Sequence, residues 1–139
     1  MKRTSILTLF VVFAFSNIIH VEKIRAQDLQ SFEQFSDFYM KFYNDNNFQK
    51  SRIILPLKGI IKTWKEDIIK EESWKNKKIT VTPKDVFLKK YDNLKTSMIN
   101  KDSIIIEKYW IENSGFLVEK YYRLKYGKWY LYRYDISNL

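Results

Sequence analysis

The strongest periodicity in the chain lies near its C-terminus. Residues 103–112, 116–125 and 128–136 are rich in β-branched and aromatic side chains, and Asn113-Ser114-Gly115 and Tyr126-Gly127 separate them. Links this short, each bearing a glycine, join antiparallel neighbours, so the pattern predicts a three-stranded meander. In its middle strand Phe116, Val118, Lys120, Tyr122 and Leu124 share one face, and Leu117, Glu119, Tyr121, Arg123 and Lys125 share the other. In its last strand, alternation puts Trp129, Leu131, Arg133 and Asp135 on one face and Tyr130, Tyr132, Tyr134 and Ile136 on the other.

Upstream, Leu29, Phe32, Phe35, Phe38, Tyr39 and Phe42 recur at steps of three and four, which predicts an amphipathic helix over 27–47. Ser31 with Gln34 has the form of a capping box, Asp28 is the other candidate cap, and the polar run 44–47 supplies a stop. The aromatic stripe reads as core ahead of a pocket lining, since burying each Phe contributes roughly 1.5–3 kcal/mol. Residues 48–51 read as a helical turn. Residues 52–57 read as an edge strand, because Pro56 has no N–H to give a ladder. After a Lys58-Gly59 turn, 60–64 reads as a strand, 65–78 as a short helix or irregular arm, and 79–82 as a short strand. Thr82 as cap and Pro83 at the first helical position start a helix to about Tyr91, and 92–102 reads as a loop. The expected fold class is α+β, with a long N-terminal helix packed on an antiparallel sheet that ends in the meander.

The first residues follow another pattern. Met1-Lys2-Arg3 precedes an apolar run over 6–19, shorter than the ~20 residues of a membrane span, with small residues near its end. This is the form of a secretory signal peptide, residues 1–26, cleaved after Ala26 or, as second choice, after Ser16. An uncleaved N-terminal anchor is the competing reading. Cleavage leaves 27–139 as a single domain with no membrane span, exported to the periplasm, the cell surface or the medium.

The formal charge of +9 includes Lys2, Arg3, Lys23 and Arg25 against Glu22, so the chain from residue 27 carries +6. Its lysines are scattered, which fits a solvated surface better than a patch for an anionic ligand, and export makes nucleic acid the poorest of the anionic partners. Cysteine is absent and the sole histidine, His20, lies in the leader. Beyond residue 26 the usual zinc ligands, thiol nucleophiles and near-neutral proton carriers are therefore missing. No metal and no cofactor is expected, and a non-catalytic domain is the leading expectation.

Phe35, Phe38 and Phe42, followed by Asp45, Phe48-Gln49, Arg52-Ile53 and Pro56-Leu57, resemble the signature of an exported Bacteroidetes group, domain of unknown function 4348. The ending Tyr126-Gly127-Lys128-Trp129-Tyr130-Leu131 resembles the final hairpin of that group and, more widely, of nuclear-transport-factor-2-like (NTF2-like, cystatin-like) folds. Residues 65–101 match nothing in it. The resemblance implies a long N-terminal helix across a curved antiparallel sheet, forming a cone with a cavity at its open end. It implies no catalytic residue, because that group has no assigned activity, and relatives sharing the fold include isomerases, dehydratases, ligand binders and protein-binding modules.

Gln49 and Arg52, three apart between a turn and a strand, are a candidate polar pair at the cone's mouth. The competing reading has Arg52 fixing the helix-to-sheet junction through backbone carbonyls or Asp45. Trp129, Arg133 and Asp135 complete the candidate set for a small-molecule or anionic ligand. In an acid–base enzyme Asp135 would be the base, whereas an ordinary Arg–Asp pair at a strand end is the plainer reading. Lys120 and Glu112 raise the same question. Tyr130, Tyr132 and Tyr134 form a candidate homodimer interface. Trp64, Trp74, Trp110 and Trp129 fall on separate elements without regular spacing, which favours core over a sugar platform. A ligand-binding cone ranks first, a dimerising interaction module second, and an acid–base enzyme third.

Overall fold

The computed structural model describes residues 32–65, 68–76 and 78–139. The leader and the candidate caps Asp28 and Ser31 lie outside these residues. Within them the expected long helix is a ten-residue one, α1 (Phe35–Asn44), entered from Gln34, whose side chain makes no capping bond. Asp45 ends it in extended backbone and accepts the N–H groups of Asn47 and Phe48 on one carboxylate oxygen, at 2.9 and 3.0 Å. The polar run is thus a junction, where one residue closes α1 and caps α2 (Asn46–Ser51).

The strands are β1 (Ile53–Lys58), β2 (Ile60–Lys65), β3 (Ile68–Ser73), β4 (Lys95–Lys101), β5 (Ile104–Trp110), β6 (Phe116–Lys125) and β7 (Lys128–Asn138). A 3₁₀ turn at Trp74–Asn76 and a helix, α3 (Lys84–Lys90), lie between β3 and β4. All seven strands form one sheet in the order β3-β2-β7-β6-β5-β4, with β1 also paired to β7. The predicted meander is β5–β6–β7. Tyr126 and Gly127 in its last turn both have positive φ, the geometry that matches strand twist in two-residue hairpins.

The sheet is mixed, not purely antiparallel as expected. β1 and β2 both run parallel to β7, β1 beside Leu131 and Arg133 and β2 beside Ile136, Ser137 and Asn138. Gly59, at φ 113°, carries the chain from one to the other. A Cβ there would lie 2.2 Å from the Tyr134 carbonyl oxygen, so only glycine fits.

Three other segments depart from expectation. The arm 65–78 contains β3, paired antiparallel to β2 from Ile60↔Ser73 to Lys65↔Ile68. Every β3 residue is exposed, so no apolar face marks it in the sequence. The expected loop at 92–102 contains β4, which pairs with β5 along all seven of its residues. Lysines at both its ends suit a sheet edge that must not recruit another strand. Residues 79–82 are irregular where a strand was expected, and α3 begins after Pro83, which occupies the cap position in place of Thr82.

A bulge sets which side chains enter the core. The β6–β7 register slips between Tyr121↔Arg133 and Tyr122↔Leu131, leaving Tyr132 as an extra residue on β7. Before it, Trp129 and Leu131 face the core. After it, Tyr134 and Ile136 do, opposite Lys120 and Val118. Two predicted faces are corrected by this one residue. Arg133 and Asp135 lie on the outer face, opposite Tyr121 and Glu119, and not with Trp129. Tyr134, 1% exposed, belongs to the core and not to the outer row of Tyr130 and Tyr132.

The inner face is covered by α1, whose Phe38 and Phe42 are buried, so the aromatic stripe is core. Both rings meet Tyr122 edge-on, at centroid distances of 5.7 and 5.9 Å, and Phe35 meets Trp129 at 5.2 Å. Trp74 stacks on Tyr134 at 5.0 Å and donates its indole N–H to the Tyr134 carbonyl.

Candidate functional site

The inner faces of β5 and β6 each carry a charge between apolar or aromatic neighbours: Ile105-Glu107-Tyr109 on one, Val118-Lys120-Tyr122 on the other, apart from the outward residues between them. Glu107 and Lys120 are register partners, 1% and 0% exposed. A charge buried this deeply requires an opposite charge and a full set of hydrogen bonds. Lys120 Nζ lies 3.7 Å from Glu107 Oε2.

Tyrosines complete the set. Tyr39 donates to Glu107 Oε1, and Tyr122 donates to Oε2 at 3.0 Å. The Tyr43 hydroxyl lies 3.3 Å from Oε2 and 2.7 Å from the Tyr122 hydroxyl. Lys120 donates to Tyr43 at 2.8 Å and to the backbone carbonyl of Thr82. Its ammonium also sits 4.9 Å from the ring centroids of Tyr43 and Tyr109 and 5.8 Å from those of Phe87 and Tyr134, an aromatic box around a cation. Among the described residues, no buried side-chain polar atom lacks a partner.

Electrostatics follow from this burial. Desolvation lowers the Lys120 pKa from 10.5 to about 8, partly offset by Glu107. Burial and then the Glu107 charge push the phenols of Tyr39, Tyr43 and Tyr109 up. Tyr122 is raised by burial and its neighbour Tyr43, and Tyr134 is pushed up to about 12, chiefly by burial. The phenols therefore stay protonated at neutral pH, and those of Tyr39 and Tyr122 serve as donors to the carboxylate.

Tyr39 and Tyr43, one helical turn apart on α1, also line a cleft of about 280 Å³. Met40 and Asn44 from α1, and Pro83, Lys84, Asp85 and Leu88 from α3 and the residue before it, form the rest of its wall. The same two phenols thus belong to an open cleft and to the buried network.

The candidates chosen from sequence fall into two separate groups. Arg52 makes two bonds of 2.9 Å to the Glu33 carboxylate and one of 3.0 Å to the Trp129 carbonyl. Glu33 in turn accepts the Trp129 backbone N–H, and its own carbonyl accepts the Trp129 indole N–H. Gln49 donates to the Phe42 carbonyl. Gln49, Arg52 and Trp129 therefore knit the helix-to-sheet junction, with Glu33 as the arginine's carboxylate in place of Asp45.

Arg133 and Asp135 pair on the outer face at 2.5 Å, where Asp135 also accepts the Ile60 backbone N–H at 3.0 Å. Tyr132 lies there too, its ring 4.4 Å below the Arg123 guanidinium, while the Arg52 guanidinium lies 5.3 Å from the Tyr130 ring. Sequence reasoning missed Glu107, Tyr39, Tyr43, Tyr109 and Tyr122 as a polar set. The available signal was a pair of opposite charges, each at the centre of the apolar face of consecutive strands. Among the described residues, no cluster of three or more acidic or imidazole side chains could hold a metal.

No family model matches the chain, and no curated protein does. The likeness to domain of unknown function 4348 therefore stays a resemblance. The chain is similar to a solved structure. That structure is an NTF2-like protein from Bacteroides fragilis NCTC 9343, 22% identical, with a TM-score of 0.48 over 77% of this chain and 48% of that one. The chain spans about half the length of that protein.

Proposed function

We propose that this chain is an exported, non-catalytic binding module of NTF2-like architecture, and that its ligand enters the cleft between α1 and α3. The observation that carries this reading is the double membership of Tyr39 and Tyr43, which line the cleft and anchor to Glu107 and Lys120. A buried ion pair adds little net stability over an apolar pair, whereas a fully bonded polar network holds its groups in one arrangement. Beneath a cleft, that arrangement is a pre-organised floor. Both oxygens of Glu107 already hold phenol protons, and Asp135 is held by Arg133 and Ile60. This favours binding over acid–base catalysis.

Met40 is 66% exposed, so Met40→Trp fills the cleft and leaves the core alone. In native mass spectrometry of protein recovered from its host's envelope, the wild type is expected to retain an added mass that the variant loses, at an unchanged Tm. An adduct kept by both proteins would put the ligand elsewhere, and a bare wild type would remove the reading.

A second reading, self-association, draws on Tyr130 and Tyr132, which stand on the face opposite the one α1 packs against. Tyr132→Glu is then expected to turn a dimer into a folded monomer in sedimentation velocity. A wild type that is monomeric at its highest soluble concentration would dismiss it.

A further inference from the structure

The side-chain hydrogen-bonding capacity of the cleft leans to acceptors. Tyr39 gives its proton to Glu107, so its oxygen can only accept from anything in the cleft. Tyr43 receives Lys120 and has Tyr122 and Glu107 within reach of its own proton, which leaves it in the same condition. Asn44 uses one amide N–H on the Met40 carbonyl, which leaves its side-chain oxygen as acceptor and its second N–H as donor. Asp85 on the α3 side is acceptor-only when ionised. Lys84 is the single cationic side chain in the lining, against these four acceptors.

At Tyr39 the nearby charge is negative as well, with the Lys120 ammonium on Tyr43 instead. Glu107 and Asp85 both act on the Tyr39 oxygen as negative charges and raise its pKa. The remaining lining, Met40, Pro83 and Leu88, is apolar, and Met40 and Leu88 are exposed at 66% and 45%.

From this polarity we infer that the cleft takes an alkylammonium ligand, its N–H donors on Tyr39, Asn44 and Asp85 and its methylenes against Met40, Pro83 and Leu88. A primary amine with a short unbranched stem meets every feature of the lining. A carboxylate would face the Asp85 charge and find Lys84 as the one cation in the lining, and an alcohol would leave most acceptors without a proton. The inference rests on the reading of this cleft as the ligand site.

The test is isothermal titration of the protein recovered from its host's envelope, at pH 7, with hexylamine, hexanoate and 1-hexanol, three probes of equal stem length. Hexylamine is expected to bind about tenfold more tightly than either of the others. Asp85→Asn should weaken hexylamine about fivefold and leave hexanol unchanged, as suits loss of one half-solvated charge partner. Hexanoate or hexanol binding as well as hexylamine, or hexylamine indifferent to Asp85→Asn, would overturn the inference while leaving the cleft as a ligand site. Failure of all three probes to bind would overturn the inference, and unchanged titrations of Met40→Trp against a binding wild type would overturn the site itself.

Discussion

Glu107→Leu is expected to destabilise the fold by about 3–5 kcal/mol, because it removes one half of a buried pair and leaves the other half in place. Lys120, fully buried, would keep the Thr82 carbonyl and the Tyr43 oxygen and lose its only counter-charge. Tyr39 and Tyr122 would lose the acceptor for their protons at the same time. Glu107→Gln retains a carbonyl acceptor and should cost less. Adding Lys120→Met to Glu107→Leu should restore much of the loss, since an apolar pair has no charge to desolvate. In scanning calorimetry the single leucine variant should melt more than roughly 10 °C below wild type, with the double variant between them. A leucine variant melting within a degree or two of wild type would show that the pair carries no such weight.

Alkali should first strengthen this protein and then weaken it. Lys120 holds its proton with a pKa of about 8 in the fold and 10.5 when unfolded. Below pH 8 both states carry the proton. Between these two values only the unfolded chain does, so stability rises with pH through that window, by on the order of 2–3 kcal/mol. The buried tyrosines act in the opposite direction. Their folded pKa values are raised, so above about pH 10 the unfolded chain sheds phenol protons that the fold retains, and stability falls. Urea titrations across the alkaline range should therefore pass through a maximum at about pH 9–10. Lys120→Met should flatten the rising limb and keep the falling one. A wild-type curve that declines steadily from pH 8 would contradict the burial of a charged lysine.

The elements legible in the sequence were those whose pattern is set by one buried face. Phe38 and Phe42 mark α1, and the alternation of β6 marks the meander, because burial leaves an apolar residue at each inward position. β3 and β4 were invisible for the converse reason. β3 has no buried side, and β4 is an edge whose pairing with β5 is made by backbone groups that carry no residue preference. The inner face of β7 was misread because nothing about Tyr132 distinguishes a bulged tyrosine from a paired one. The slip arises in its pairing with β6.

The site is harder to read because charge ordinarily marks surface. Alternation puts Lys120 on the inner face of β6 with Val118 and Tyr122, and its partner Glu107 lies directly across the meander on β5. Strict alternation points Arg133 and Asp135 inward, and the bulge turns them out.

The two walls of the cleft differ in how they are held. The α1 wall is fixed to the core through Phe38 and Phe42. The α3 wall has no fully buried residue, rests on Phe87 and Tyr91 against Tyr109 and Phe116, and is tied just ahead of its first turn, where Lys120 and Tyr134 bond Thr82. One jaw is thus anchored by two buried rings, and the other by ring packing and its tie at Thr82. In the proposed binding mode the head group bridges both jaws, with Tyr39 and Asn44 on one and Asp85 on the other. Stem length and girth are then matched on the α3 side by Pro83 and Leu88, on a helix that contributes no strand to the sheet.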